Sequence, residues 1–134
     1  MKYIIIIAFT LALNGCLPSV AFYAFNNSNF EIVFSYKGGE MLNIPAKSVG
    51  KFYKGYSEFV IVMGETTYYY DSMINFADVP DDYVNSVFPM GMELKLQFNQ
   101  DGKIFILPFE SEFPQYEIVN QPSRFPIIPS RVGS

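Results

Sequence analysis

The chain has 134 residues, nine basic and thirteen acidic side chains, a net charge of −4, one cysteine and no histidine. Without histidine, no Ser-His-Asp or Cys-His nucleophilic arrangement can form, and zinc sites built from Cys and His are excluded. Half the residues are apolar and 18% are aromatic, which is enough for a real core in one domain. The acidic balance disfavours nucleic acid, whose phosphates demand clustered Lys and Arg.

Lys2 puts a positive charge at the start, and Tyr3 to Leu13 is an apolar run broken only by Thr10. A charged start, a short apolar core and small residues after it describe a secretory signal peptide. The run is too short for a membrane span, which needs roughly 20 apolar residues to cross about 30 Å of hydrocarbon. Leu13-Asn14-Gly15-Cys16 closes the leader. This resembles the lipobox of bacterial lipoproteins: Leu13 and Gly15 match, and Asn14 departs from the usual small residue. The resemblance covers the leader alone. It implies that Cys16 becomes the first residue of the mature chain and carries a covalent diacylglycerol and an N-acyl chain, with no other cofactor.

Two other readings stay open from the residues. Ser19-Val20-Ala21 offers an ordinary signal-peptidase site, and an uncleaved leader would itself be an anchor. The single cysteine favours lipidation, because an odd thiol in an exported protein is a hazard that acylation removes. Two or three acyl chains anchor firmly, at about 0.8 kcal/mol per buried methylene. The organisation expected is a signal peptide at 1–15, a lipidated cysteine with a short tether at 16–19, a β-rich domain at 20–119 and a Pro-rich tail at 120–134. In a Gram-negative host, Leu17 rather than Asp after the cysteine implies the periplasmic face of the outer membrane.

The tether is short. Leu17-Pro18-Ser19 is all that separates Cys16 from the first predicted strand, so the domain and whatever it contacts should lie close to the membrane. Removing Lys2 with the leader takes the net charge to −5, which suits a basic protein partner and plain solubility equally.

Val20 to Phe25 is apolar throughout and predicts a buried strand. Asn26 to Asn29 is a turn cluster. Phe30 to Lys37 alternates, with Phe30, Ile32, Phe34 and Tyr36 on one face, and should pair with the first run as a hairpin. Gly38-Gly39 predicts a turn and Met41 to Ile44 a short strand. Pro45 to Gly55 reads as a loop, with Lys47, Lys51 and Lys54 among Phe52, Tyr53 and Tyr56 packing over the core edge.

Phe59 to Met63 and Thr66 to Met73 predict a hairpin turning at Gly64-Glu65. In the second strand Tyr68 and Tyr70 share a face and Tyr69 points away. Asp78 to Phe88 predicts one short helix, with Asp78, Asp81 and Asp82 near its positive end, Pro80 in the first turn and Pro89 as the stop. The same aspartates lack the alternation and Gly of a calcium loop, so no metal site is expected. Glu93 to Phe98 alternates and turns through Asn99-Gln100-Asp101-Gly102 into Lys103 to Phe109, with Gly102 able to take positive φ. Glu117 to Val119 could add a last strand. Beyond Pro108, repeated prolines exclude the interior of a sheet, and the tail either wraps the domain or stays free.

The fold class expected is therefore all-β, a small antiparallel sandwich or barrel of about seven short strands with one inserted helix. Paired carboxylates are the one catalytic option without histidine, and Glu110, Glu112 and Glu117 lie among prolines in a region that reads as exposed, so a non-enzyme is expected. Three functions fit. The first is an envelope lipoprotein, membrane-held through Cys16, that binds or scaffolds another envelope protein. The second is an immunity or inhibitor lipoprotein facing a periplasmic toxin or enzyme. The third is a small-ligand or carbohydrate binder. The candidate surface for a ligand or partner is Tyr53, Tyr56, Tyr68 and Tyr70.

Overall fold

A computed structural model describes residues 19–36, 41–53, 58–71, 79–118 and 120–134. The leader with Cys16, the Gly38-Gly39 turn, Lys54, Tyr56, Asp78 and Val119 lie outside the described residues. The described chain is all-β. Ten strands form two five-stranded sheets in a sandwich-like arrangement, with no closed barrel and, among the described residues, no α-helix.

Sheet I holds β1 (Ser19–Asn27), β4 (Val49–Tyr53), β7 (Val84–Val87), β8 (Gly91–Asn99) and β9 (Ile104–Leu107). Sheet II holds β2 (Ile32–Tyr36), β3 (Leu42–Ile44), β5 (Phe59–Met63), β6 (Thr66–Tyr70) and β10 (Arg131–Gly133). The run that is apolar on both faces takes an interior place. β1 pairs parallel with β8 from Ser19↔Gly91 to Asn27↔Asn99, and antiparallel with β4 on its other side. The far edge of β8 is shared: β7 pairs with its first half and β9 with its second. Sheet II runs β10-β6-β5-β2-β3, antiparallel throughout.

The core forms where the inner faces meet. Phe34 of sheet II lies 4.5 Å from Phe52, 5.4 Å from Phe59 and 6.4 Å from Phe98, and Phe52 stacks on Phe22 at 4.9 Å. These centroid separations are in the favourable range for aromatic pairs. Ile32, Ile44, Ile61, Leu94, Ile104 and Ile106 fill the rest.

Three expectations are corrected. β1 and β2 do not form a hairpin; they belong to different sheets, and the turn at residues 28–30 carries the chain from one to the other. Of the turn cluster read at Asn26 to Asn29, Asn26 and Asn27 belong to β1, and Asn26 and Ser28 are buried and bond the turn from inside. The expected loop at Pro45 to Gly55 contains β4. Its inward residues are Gly50 and Phe52, and the glycine hid the alternation. A Cβ on Gly50 would sit 2.5 Å from Ile44 Cγ1, so any larger residue there would have to displace that buried side chain.

The predicted helix is a single 3-10 turn at Asp81–Tyr83 that passes directly into β7. Val, Asn and Ser are poor helix formers, and the edge of β8 from Gly91 to Leu94 offers Val84–Val87 a ladder instead. The expected turn glycine does behave as read: Gly102 has φ +83° and lies against the Tyr68 ring.

The Pro-rich end wraps. The side-chain amide of Gln121 accepts from Ile106 N–H at 3.0 Å and donates to Ile106 C=O at 2.9 Å, copying a strand partner along the open edge of β9. Ile127 then bridges Ile104 through both backbone groups. The last residues cross to sheet II, where β10 pairs with β6 and the Arg131 guanidinium lies 3.8 Å over the Tyr69 ring.

Both crossings between the sheets at one end of β1 converge on Asn26. Its Nδ2 lies 2.7 Å from Phe30 O, 2.9 Å from Ile44 O and 3.1 Å from Pro45 O. Its Oδ1 accepts from Ser28 N–H and Ser28 Oγ, and its backbone exchanges bonds with Lys47 and Ser48. Replacing a buried group of this kind strands its partners. Asn26→Leu should therefore lower unfolding stability by about 2–4 kcal/mol in denaturant titrations followed by tyrosine fluorescence, and Asn26→Asp should not restore it, since a carboxylate cannot donate to the three carbonyls.

Candidate functional site

The outer face of sheet I carries Ser19, Ala21, Tyr23, Phe25 and Asn27 from β1, and Gly91, Glu93, Lys95, Gln97 and Asn99 from β8, by the parallel register. Half of this face is covered by the segment that follows β9. Phe113 stacks on Phe25 at 5.4 Å. Lys95 donates to Ser111 O at 2.6 Å with its ammonium beside the Phe109 and Phe113 rings. Gln97 accepts from Gln115 N–H and donates to Gln115 C=O and Asn99 Oδ1.

The other half, toward the start of β1, presents a polar and aromatic cluster. Tyr23 hydroxyl donates to Glu93 Oε1 at 3.2 Å, and Asn85 Nδ2 donates to Glu93 Oε2 at 3.1 Å. Lys51 Nζ sits 5.0 Å from the Tyr23 ring centre and 5.7 Å from that of Tyr53. Tyr23 beside the ammonium, and more weakly Tyr53 and Glu93, hold the Lys51 pKa above the ordinary lysine value. Four neighbouring strands thus contribute one cation between two rings and one carboxylate fixed by two donors. Such a surface can dock an acidic or aromatic side chain through charge and ring faces. Among the described residues no group of three Asp, Glu, Cys or His could hold a metal ion.

Of the four tyrosines named from sequence, the three described ones are not brought together. Tyr53 is 59% exposed in this cluster, and Tyr56 lies outside the described residues. Tyr68 and Tyr70 do share a face, but it is the core face; they are 8% and 2% exposed. Their hydroxyls donate to Gln100 O at 2.9 Å and Gly102 O at 2.6 Å, locking sheet II onto the β8–β9 turn. Glu110, Glu112 and Glu117 are exposed, as expected from their surroundings.

Sequence reasoning missed Tyr23, Lys51, Glu93 and Asn85 as a group. Their one trace in the sequence is the two-residue spacing of Lys51 and Tyr53, which share a face in any strand there, while Gly50 obscures the rest of the alternation. A groove of about 190 Å³ between β9 and the covering segment is lined by Tyr83, Leu107, Pro108, Ser111 and Gln115 among others. It is smaller than the roughly 300–1,000 Å³ of ordinary ligand pockets. No protein-family model, curated protein or solved structure matches this chain.

The tyrosine lock has a pH signature. Burial, with Tyr68 and Asp101 adding to it, pushes the Tyr70 pKa well above its ordinary value. An unfolded tyrosine ionises near pH 10, whereas folded Tyr70 keeps its proton. Its contribution to stability is thus intact below about pH 10 and is lost as pH rises above it, because only the unfolded state releases the proton. Denaturation midpoints measured between about pH 9 and pH 12 should fall with pH, and Tyr70→Phe should flatten that fall while lowering the neutral-pH midpoint.

Proposed function

We propose that this chain is a non-catalytic bacterial envelope lipoprotein, held by lipid on Cys16, that binds or scaffolds another envelope protein through the uncovered half of the outer face of sheet I. The single observation that carries the choice of surface is unequal covering. Residues 109–115 cover one half of the face, and among the described residues none covers Tyr23, Lys51, Tyr53 and Glu93 on the other. Tyrosine is enriched at binding centres on protein surfaces, and charges such as Lys51 and Glu93 beside it give a partner specificity.

The anchor reading rests on Leu13-Asn14-Gly15-Cys16 after an apolar leader. In a Gram-negative host the domain would sit at the periplasmic face of the outer membrane. The small-ligand reading loses its main support with Tyr68 and Tyr70 buried in the core and their hydroxyls occupied.

The anchor test is direct. The full chain should incorporate radiolabelled palmitate and fractionate with membranes; Cys16→Ser should lose the label and release the protein. A Cys16→Ser chain that stays membrane-bound and uncleaved would overturn the lipoprotein reading. For the surface, a photo-crosslinker replacing Tyr53 in intact cells should capture one abundant envelope protein. Lys51→Glu should cut that capture about tenfold, since reversing a charge at a contact costs on the order of 1.4 kcal/mol or more.

A further inference from the structure

The turn between β7 and β8 is the most exposed apolar feature among the described residues. Phe88 is 95% exposed, Met90 51% and Val87 41%, with Pro89 between them. The sequence from Tyr83 to Met92 carries no charge. A lone exposed hydrophobe needs no explanation, but a fully exposed phenylalanine flanked by exposed Val and Met on a projecting turn marks a contact surface.

Its place in the fold says what it contacts. β1 and β8 are parallel and begin together: Ser19 is level with Gly91, and Ser19 N–H donates to Met90 O at 3.2 Å. The start of β1 and the turn preceding Gly91 therefore lie at the same end of the sheet. Cys16 lies three residues before Ser19, so their Cα atoms are at most about 11 Å apart. The glycerol on a lipidated cysteine sits at headgroup level, and the interfacial layer is roughly 5–8 Å deep on each side of the hydrocarbon. The Ser19–Met90 bond holds the base of the turn beside Ser19, within that reach of Cys16.

We propose that the Val87–Met90 turn is a membrane wedge, inserting the Phe88 ring and the Met90 side chain among the headgroups and upper acyl chains beside the lipid anchor. The inference rests on the lipoprotein reading for the position of the bilayer. The wedge gives the domain a second point of contact, and two points fix its tilt where an acyl tether alone leaves it free to swing. Pro89 in the turn and the absence of charge match the interfacial role, since nothing charged has to be dehydrated. The nearest carboxylate along β8, Glu93, is bonded by Tyr23 and Asn85 rather than left facing the lipid.

The test uses the full lipidated chain in phosphatidylcholine vesicles, with and without bromine on the acyl chains. The protein has no tryptophan, so Phe88→Trp supplies a lone reporter on an exposed position. Its emission should shift to the blue and fall about twofold in the brominated vesicles, as for a ring at the headgroup–acyl boundary. Tyr116→Trp is the control. Tyr116 is exposed beside Gln115, whose N–H bonds Gln97, six residues farther along β8 from Gly91 and so about 20 Å from the wedge. Its emission should be the same in both vesicles.

Palmitate label is read on the same samples. If label is absent, the lipoprotein reading and the wedge fall together. If label is present and Phe88→Trp emission is equal in both vesicles, the wedge is overturned and the anchor stands. In intact cells, p-benzoylphenylalanine in place of Phe88 should crosslink to phospholipid; crosslinking to a protein instead would overturn the wedge and assign the turn to a protein partner.

Discussion

The Asn26 carboxamide is the contact on which the two-sheet arrangement depends. The chain leaves sheet I for sheet II after β1 and returns after β3, and both passages run through the reach of this one side chain. A sandwich needs such corners, yet corners carry carbonyls and N–H groups that no ladder satisfies. An apolar residue here would leave several of them buried and unpaired. A carboxamide presents donors and an acceptor at once, and Ser28 completes the set by accepting Phe30 N–H while donating to Asn26. The node is local in space but joins residues up to twenty-two apart, from Asn26 to Ser48.

The parallel β1–β8 pair imposes the second constraint. Parallel strands are stable where both faces are covered. Sheet II covers the inner face with Phe34, Phe59 and Ile61. For the outer face the chain uses an irregular segment, which must solve its own hydrogen-bonding problem. Lys95 and Gln97, strand residues on a nominally polar face, do so by bonding the backbone of Ser111 and Gln115. Gln121 does the same for the edge of β9. Prolines suit that segment because the missing donors are ones no partner has to meet.

Alternation made β2, β5, β6, β8 and β9 readable, and the all-β class with them. Side-chain period two also placed Tyr68 and Tyr70 on one face. Period alone does not say whether that face is dry, and here the hydroxyls reach carbonyls across the core instead of water. What escaped was set by tertiary demand. Gly50 is inward because Ile44 lies on it, which no local pattern announces. Val84–Val87 is a strand because β8 has an unpaired edge. Gln97 is fully buried because Gln115, eighteen residues later, folds back over it. The open cluster of Tyr23, Lys51 and Glu93 was illegible for the same reason: it exists only once four strands are in order.

Strand direction finally decides how the parts relate. Had β8 run antiparallel to β1, the β7–β8 turn would lie at the far end of the sheet, and its exposed Phe88 would face away from Ser19. In the parallel register the start of β1, the apolar turn and the open cluster share one end, with Tyr23 only four residues, about 13 Å, along β1 from Ser19. On the proposed reading the covered half of sheet I then points away from the bilayer and the open half lies near it. A partner docked on Tyr23, Lys51 and Tyr53 would touch the domain within a nanometre or two of the lipid.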